Sequence, residues 1–248
     1  VYWPAFLMAA DLPLPKQIVA HGWWTIEGEK MSKSLGNVLS PQQMIEEAGS
    51  IDHLRYFMLR AMPFGNDGDF SRERMVETIN ADLANNIGNL AQRTLSMIQK
   101  NCEGTVPEYG ELLNVGNYDD NEMLFMGKRA LKSFRKILFK EGLDFSEVIK
   151  YLLALAREAN EYIDERAPWM LKKENPERMK TVLYVLAETA RHIAILLQPF
   201  CPLAAGKLLD QLAVPEDERS FAHLTAEYAL KPGTPLPKPE GVFPRLEG

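Results

Sequence analysis

The chain is 248 residues long, 46% apolar and 25% charged, enough for one large or two smaller packed units. Its net charge of −6 argues against a non-specific nucleic-acid coat, which a basic balance would advertise, yet leaves room for a local basic face. Only Cys102 and Cys201 are present, which excludes a disulfide framework and a cysteine metal knuckle, and no apolar run nears the ~20 residues of a membrane span. A cytosolic setting with no membrane partner is expected. The sequence opens on "VYWPAFLMAA" without an initiator methionine and reads as a piece of something longer.

Residues 18–27, "IVAHGWWTIE", run β-branched and aromatic residues into the turn signal Glu27-Gly28 and predict a strand and hairpin. The hairpin enters "GEKMSKSLGN", residues 28–37. From Ser40 the pattern turns helical, with Ser40 as N-cap, Pro41 at N1, Gln43 at the capping-box position and Gly49 as stop. Ser50 caps a second helix that Pro63 breaks, and residues 64–70, "FGNDGDF", read as a loop. Ser71 then caps a long helix through residue 100, kinked near Gly88. Residues 101–118 form a loop, and Asp119 or Asp120 starts a helix that ends near Gly142. Asp144 caps the next, where Val148, Ile149, Leu152, Leu153, Ala156 and Ile163 keep the helical period. Asn175-Pro176 opens another that breaks at Pro199, and a last one covers about residues 202–213. From 229 the chain is proline-rich and extended, suited to lie along another surface. Five helices between 71 and 213 with short connections read as a bundle, and the first 40 residues stand outside it.

In the loop, Lys30 and Lys33 flank Met31-Ser32, Ser34 follows, and Gly36-Asn37 close it. When a carboxylate attacks the α-phosphorus of ATP, negative charge moves onto the departing pyrophosphate. A flexible ammonium can meet that charge as it develops, while hydroxyls and loop N–H groups add donors and glycine allows close approach. Two lysines near two serines are more often a solvated loop, because short motifs of this kind arise by chance. The literal string separates the readings. "KMSKSLGN" resembles the second signature of class I aminoacyl-tRNA synthetases, with the hairpin before it and helices after it that this family has. The resemblance implies that the loop closes over ATP and that Lys33 stabilises the transition state for adenylate formation. Lys30, Ser32 and Ser34 would assist, with Met31 inside the same ATP-binding string.

"VYWPAFL", "ANNIGNLAQR" and "DERAPWMLKK" together resemble the methionyl-tRNA synthetase family, at a spacing that covers essentially the whole chain. Asn89 and Arg93 share one helix face, and an amide with a guanidinium suits the edge of an unstacked cytosine. Trp169, after Pro168 at the end of a long helix, is placed to hold an indole outward, where stacking a base is worth ~1–3 kcal/mol. Taken alone, such an Asn/Arg pair is usually a solvated face, and such a Trp usually core. The resemblance implies that all three read the CAU anticodon, chiefly its cytosine. Trp3 matches an aromatic at the edge of the family's methionine pocket, where a thioether gains ~0.3–1.5 kcal/mol from a ring. A plain core tryptophan is the alternative there, and His21 reads as structural. Lys128, Lys132, Lys136 and Lys140 make a basic stripe that either touches tRNA phosphates or keeps one helix face wet. Lys172 and Lys173 sit nearer Trp169.

The expected fold is mainly α, a helical anticodon-binding bundle preceded by the C-terminal end of a class I synthetase α/β (Rossmann-like) catalytic domain. Residues 1–36 would end the catalytic domain, 37–70 connect, 71–228 bind the anticodon, and 229–248 return to the catalytic unit. The resemblance implies a methionine–tRNA ligase that uses ATP with Mg2+, methionine and tRNA(Met). The first class I signature, His-x-Gly-His, does not occur, so the chain without the missing N-terminal half is expected not to form methionyl-adenylate. No metal site is expected within it. A non-catalytic RNA-binding module would instead show a decayed lysine loop, and a synthetase for an aliphatic amino acid would lack the Asn/Arg/Trp trio.

Overall fold

Helix punctuation sets most element boundaries in the computed structural model, which describes residues 1–26, 28–32, 36, 38–62, 65–140 and 142–247. Ser40 and Gln43 form a reciprocal capping box at the start of α2 (Pro41–Ala48), and Gly49 ends it in the left-handed conformation. Ser50 caps α3 (Ile51–Arg60), Ser71 caps α4 (Arg72–Ile79), Asp144 caps α7 (Phe145–Arg166) and Asn175 caps α9 (Pro176–Leu197). The remaining long helices are α5 (Asn89–Asn101), α6 (Asp120–Lys140) and α10 (Pro202–Gln211). A mainly helical bundle follows, as the apolar periodicity required.

Four details differ from the sequence reading. Residues 2–9 form a helix, α1 (Tyr2–Ala9), with no side-chain cap and no buried residue. The predicted strand narrows to β1 (Trp24–Ile26), paired antiparallel with β2 (Glu29–Lys30). The expected loop at 64–70 contains β3 (Gly68–Phe70), which adds to β1 in parallel because burying Phe70 outweighs the poor strand propensity of Gly-Asp. The expected loop at 101–118 holds β4 (Asn114–Val115), which pairs with β5 (Tyr118–Asp119).

Near Gly88 the long helix does not break. Residues Asn80–Gly88 widen into a π-helical stretch between α4 and α5. Asn86 and Asn160 stitch this stretch to α7: Asn86 donates to the Leu153 carbonyl at 3.2 Å, and Asn160 donates to the Asn86 carbonyl at 3.2 Å.

Every residue from Thr181 to Leu197 is buried, which makes α9 the axis around which α5, α6, α7 and α10 pack. Of its polar residues, Glu188 and Arg191 bond each other twice within the core, at 2.6 and 2.9 Å. Hydrogen bonds from several side chains join the connecting helices to the bundle. Asp52 accepts from the Ala204 amide at 2.7 Å, and Arg55 donates to the Pro199 carbonyl at 2.8 Å. The tail runs from the Val106 backbone past Gln211 and buries Phe243 beside His53. It ends with Leu246 bonded reciprocally to Asn80 at 2.9 and 3.0 Å. Among the described residues no helix is long and apolar enough to cross a membrane.

Candidate nucleotide loop and nucleic-acid interface

The lysine loop rises from the hairpin expected from the sequence. In the β1–β2 hairpin Thr25 faces Lys30 and Ile26 faces Glu29, with Gly28 turning at φ 79°. Asp69 of β3 clamps both sides of the turn through one oxygen, accepting from the Thr25 hydroxyl at 2.6 Å and the Gly28 amide at 2.8 Å. Those two bonds, the Thr25 hydroxyl first, hold the Asp69 carboxyl below its ordinary pKa. At the base, Gly22 lies so close to the Asn66 carbonyl that a Cβ would stand 1.9 Å from its oxygen. Lys30 is exposed, and Met31 and Ser32 are half-buried. Lys33 and Ser34 lie outside the described residues. Asp69 escaped the sequence reading because its partners are more than forty positions upstream, and only the Asp in "NDGDF" hinted at it.

The second cluster gathers three helices. Asn89 begins α5 and is exposed, with Arg93 one turn on. The Arg93 guanidinium sits over the Trp169 ring, 5.6 Å from its centroid, and one nitrogen donates to Asp164 at 2.5 Å. Trp169 does not close a long helix, as expected, but opens the short helix α8 (Pro168–Glu174). Ala167 makes that corner in the left-handed conformation, ending α7 and starting α8. Trp169 keeps 45% of its surface exposed, so the indole offers a stacking face while its neighbour presents donors. Lys172 and Lys173, exposed in the last turn of α8, lie three and four residues beyond it on the same side. Asp164 is the member the sequence did not suggest.

Behind the cluster the acids are already engaged. Glu165 accepts from Asn117, and the Tyr118 hydroxyl donates to Glu161, a bond that pushes the Tyr118 pKa up to about 12. Arg166 turns inward to the Tyr118 carbonyl and the Tyr162 ring and takes no place on the surface.

Trp3 lies apart from both clusters. It is 78% exposed and touches Phe6 edge-on at 6.4 Å, so it is not a core tryptophan among the described residues. His21 is exposed, its ring 2.8 Å from the Gly22 carbonyl. On α6, Lys128, Lys132 and Lys136 are exposed while Met123, Met126, Ala130 and Phe134 are buried, so the stripe is the wet side of that helix.

Two family models match the chain. Residues 1–95 match tRNA synthetases class I (M), and residues 116–248 match the anticodon binding domain of methionyl tRNA ligase. The methionine–tRNA ligase of Mesorhizobium japonicum is 52% identical over 99% of this chain and 46% of its own length. That of Rickettsia felis is 51% identical over 100% of this chain and 48% of its own. The chain thus spans about half the length of the curated relatives it matches. The Mycobacterium tuberculosis methionyl-tRNA synthetase in complex with methionyl-adenylate aligns with a TM-score of 0.89 at 44% identity, over 99% of this chain and 47% of that one. Its apo form aligns at 0.86 and 40% identity, over 100% and 47%.

Proposed function

We propose, from the premise that this chain belongs to the methionyl-tRNA synthetase family, that it carries the ATP-closing loop and the anticodon reader of a methionine–tRNA ligase. In the whole enzyme methionine attacks ATP, which enters as its Mg2+ complex, to give methionyl-adenylate and pyrophosphate. The methionyl group then passes to tRNA(Met). Lys33, with Lys30 and the serines Ser32 and Ser34, neutralises the pyrophosphate as it leaves, and Met31 belongs to the same ATP-binding string. The stem clamped by Asp69 gives this loop a fixed root. Trp3 borders the methionine pocket together with residues from the half of the enzyme that this chain does not include. The working division is 1–36 for the end of the catalytic domain, 37–70 for the connection, 71–228 for the anticodon unit and 229–248 for the returning tail. A cytosolic setting goes with this activity.

The Arg93–Trp169 pairing carries the anticodon part of the proposal. A cytosine stacked on the indole puts its O2 and N3 acceptors within reach of the guanidinium, and Asn89 adds an amide from the same face of α5. The test is the affinity of anticodon-arm RNA bearing CAU or GAU, before and after Trp169→Ala. The CAU arm should bind more tightly and lose about fivefold to 150-fold on substitution, the range that ~1–3 kcal/mol of stacking supplies. Equal affinities throughout would remove the methionine-specific reading. The chain alone should support no ATP–pyrophosphate exchange, since it has no His-x-Gly-His sequence; real turnover would overturn that part.

A further inference from the structure

Leu131, Arg135 and Phe139 recur every four residues and so share one face of α6, with Phe134 and Leu138 beside them. That face borders a groove of about 450 Å3, whose other walls include Arg55 and Leu59 of α3. Phe145 at the start of α7, Phe200 after α9 and Phe221 complete it. Five of the chain's 11 phenylalanines thus line one groove, which suits it to an aromatic ring.

Phe139 is 78% exposed, so the groove is open and its aromatic wall faces solvent. The charged groups that line it are all of one sign. Arg55 and Arg135 are both exposed, and no acid lines the groove among the described residues. Arg55 donates to the Pro199 carbonyl at 2.8 Å, which fixes its guanidinium at the wall and uses one of its five N–H donors. Neither guanidinium pairs with a carboxylate among the described residues. The same helix carries Lys128, Arg129, Lys132 and Lys136 with no acid between residues 127 and 140, so the local field is positive although the chain is acidic. A guanidinium is weakly hydrated and its planar fork matches a carboxylate, which makes it a suitable anion partner beside apolar walls. An apolar groove within the roughly 300–1,000 Å3 of small-molecule sites, with a few charged donors lining it, has the composition of a ligand site.

We propose that this groove binds a small arylalkyl carboxylate, its ring among the phenylalanines and its charge shared between Arg55 and Arg135. The site takes no residue from the lysine loop or from the Arg93–Trp169 cluster. The test titrates phenylbutyrate, and its uncharged counterpart phenylbutyramide, into the full chain and follows affinity by calorimetry. Phenylbutyrate should bind saturably, about tenfold more tightly than the amide. Arg135→Gln, a substitution at an exposed position, should weaken the acid by about tenfold and leave the amide unchanged. Phe139→Ala, also at an exposed position, should weaken acid and amide alike by about fivefold, because it removes ring contact and no charge. Absence of saturable binding, equal affinity for acid and amide, indifference to Arg135→Gln, or indifference of both compounds to Phe139→Ala would each overturn the proposal.

Discussion

The Arg93 guanidinium lies 5.6 Å from the centre of the Trp169 ring while one of its nitrogens reaches Asp164 at 2.5 Å. The ion pair and the ring contact have different worth. Asp164 is 62% exposed on its side chain, so the pair adds only ~0–1 kcal/mol to stability, although it fixes where the guanidinium points. Asp164→Ala should therefore move the thermal midpoint by less than about 4 °C. It should also lower the CAU-to-GAU affinity ratio by about fivefold, the factor that ~1 kcal/mol of lost orientation supplies. Calorimetric melting and anticodon-arm titration check the two halves separately.

Asp69 predicts a pH-dependent loop stem. Its carboxyl is held below the ordinary value by the Thr25 hydroxyl first and the Gly28 amide second. With the folded value depressed, the clamp is fully present above the unfolded value near pH 4 and is lost as pH falls through the lower folded value. Hydrogen-exchange protection of the Gly28 amide should persist from neutral pH to below 4 and then vanish. Asp69→Ala should remove it at every pH while leaving the protection of α9 unchanged. A Gly28 amide equally protected in Asp69→Ala would disprove the clamp.

The buried Asp120–Arg178 pair should respond much more strongly. Burial raises the Asp120 pKa, but bonds from Arg178, the Leu113 amide and the Tyr162 hydroxyl outweigh it and leave the carboxyl below its ordinary value. Its stabilisation is therefore present above about pH 4 and is lost as pH falls through the depressed folded value. The Asp120 side chain is 0% exposed and that of Arg178 12%. Asp120→Ala strands the guanidinium in the core and should cost ~3–5 kcal/mol, a fall in thermal midpoint of roughly 6–20 °C. Tyr162→Phe removes one donor and should cost only ~1 kcal/mol. Comparable melting of both variants would show that the charge pair is not what holds this corner.

Features written over a few adjacent residues were legible in the sequence. The caps at Ser40, Ser50, Ser71 and Asp144 form as read, and Asn175-Pro176 opens its helix as read, because a helix start needs only its own first turn. Asn89 and Arg93 share a face for the same reason. Features made by distant partners were not legible. β3 exists because β1 is there to pair with, and Asp69 matters because Gly28 and Thr25 meet it. Asp164 became visible only once α5 and α7 were side by side. The turn carrying Trp169 was misread as the end of a long helix because a left-handed alanine has no sequence signature.

That alanine makes the last prediction. Ala167 adopts φ 42° and ψ 59°, a conformation that costs a non-glycine residue ~1–2 kcal/mol. Its amide closes α7 on the Ile163 carbonyl at 3.0 Å, and its carbonyl accepts the first bond of α8 from the Met170 amide at 2.8 Å. The strained residue thus sets the angle at which α8 brings Trp169 over Arg93. Ala167→Gly relieves the strain but loosens the unfolded chain by ~0.5–1 kcal/mol, so stability should change by less than ~1 kcal/mol and CAU binding should be kept. Ala167→Val puts a β-branched side chain where it is strongly disfavoured. It should lose at least ~1 kcal/mol and shift the Trp169 indole N–H resonance, with weaker CAU binding. If the valine variant bound the CAU arm like the parent with an unmoved indole signal, the corner would not be what aims Trp169.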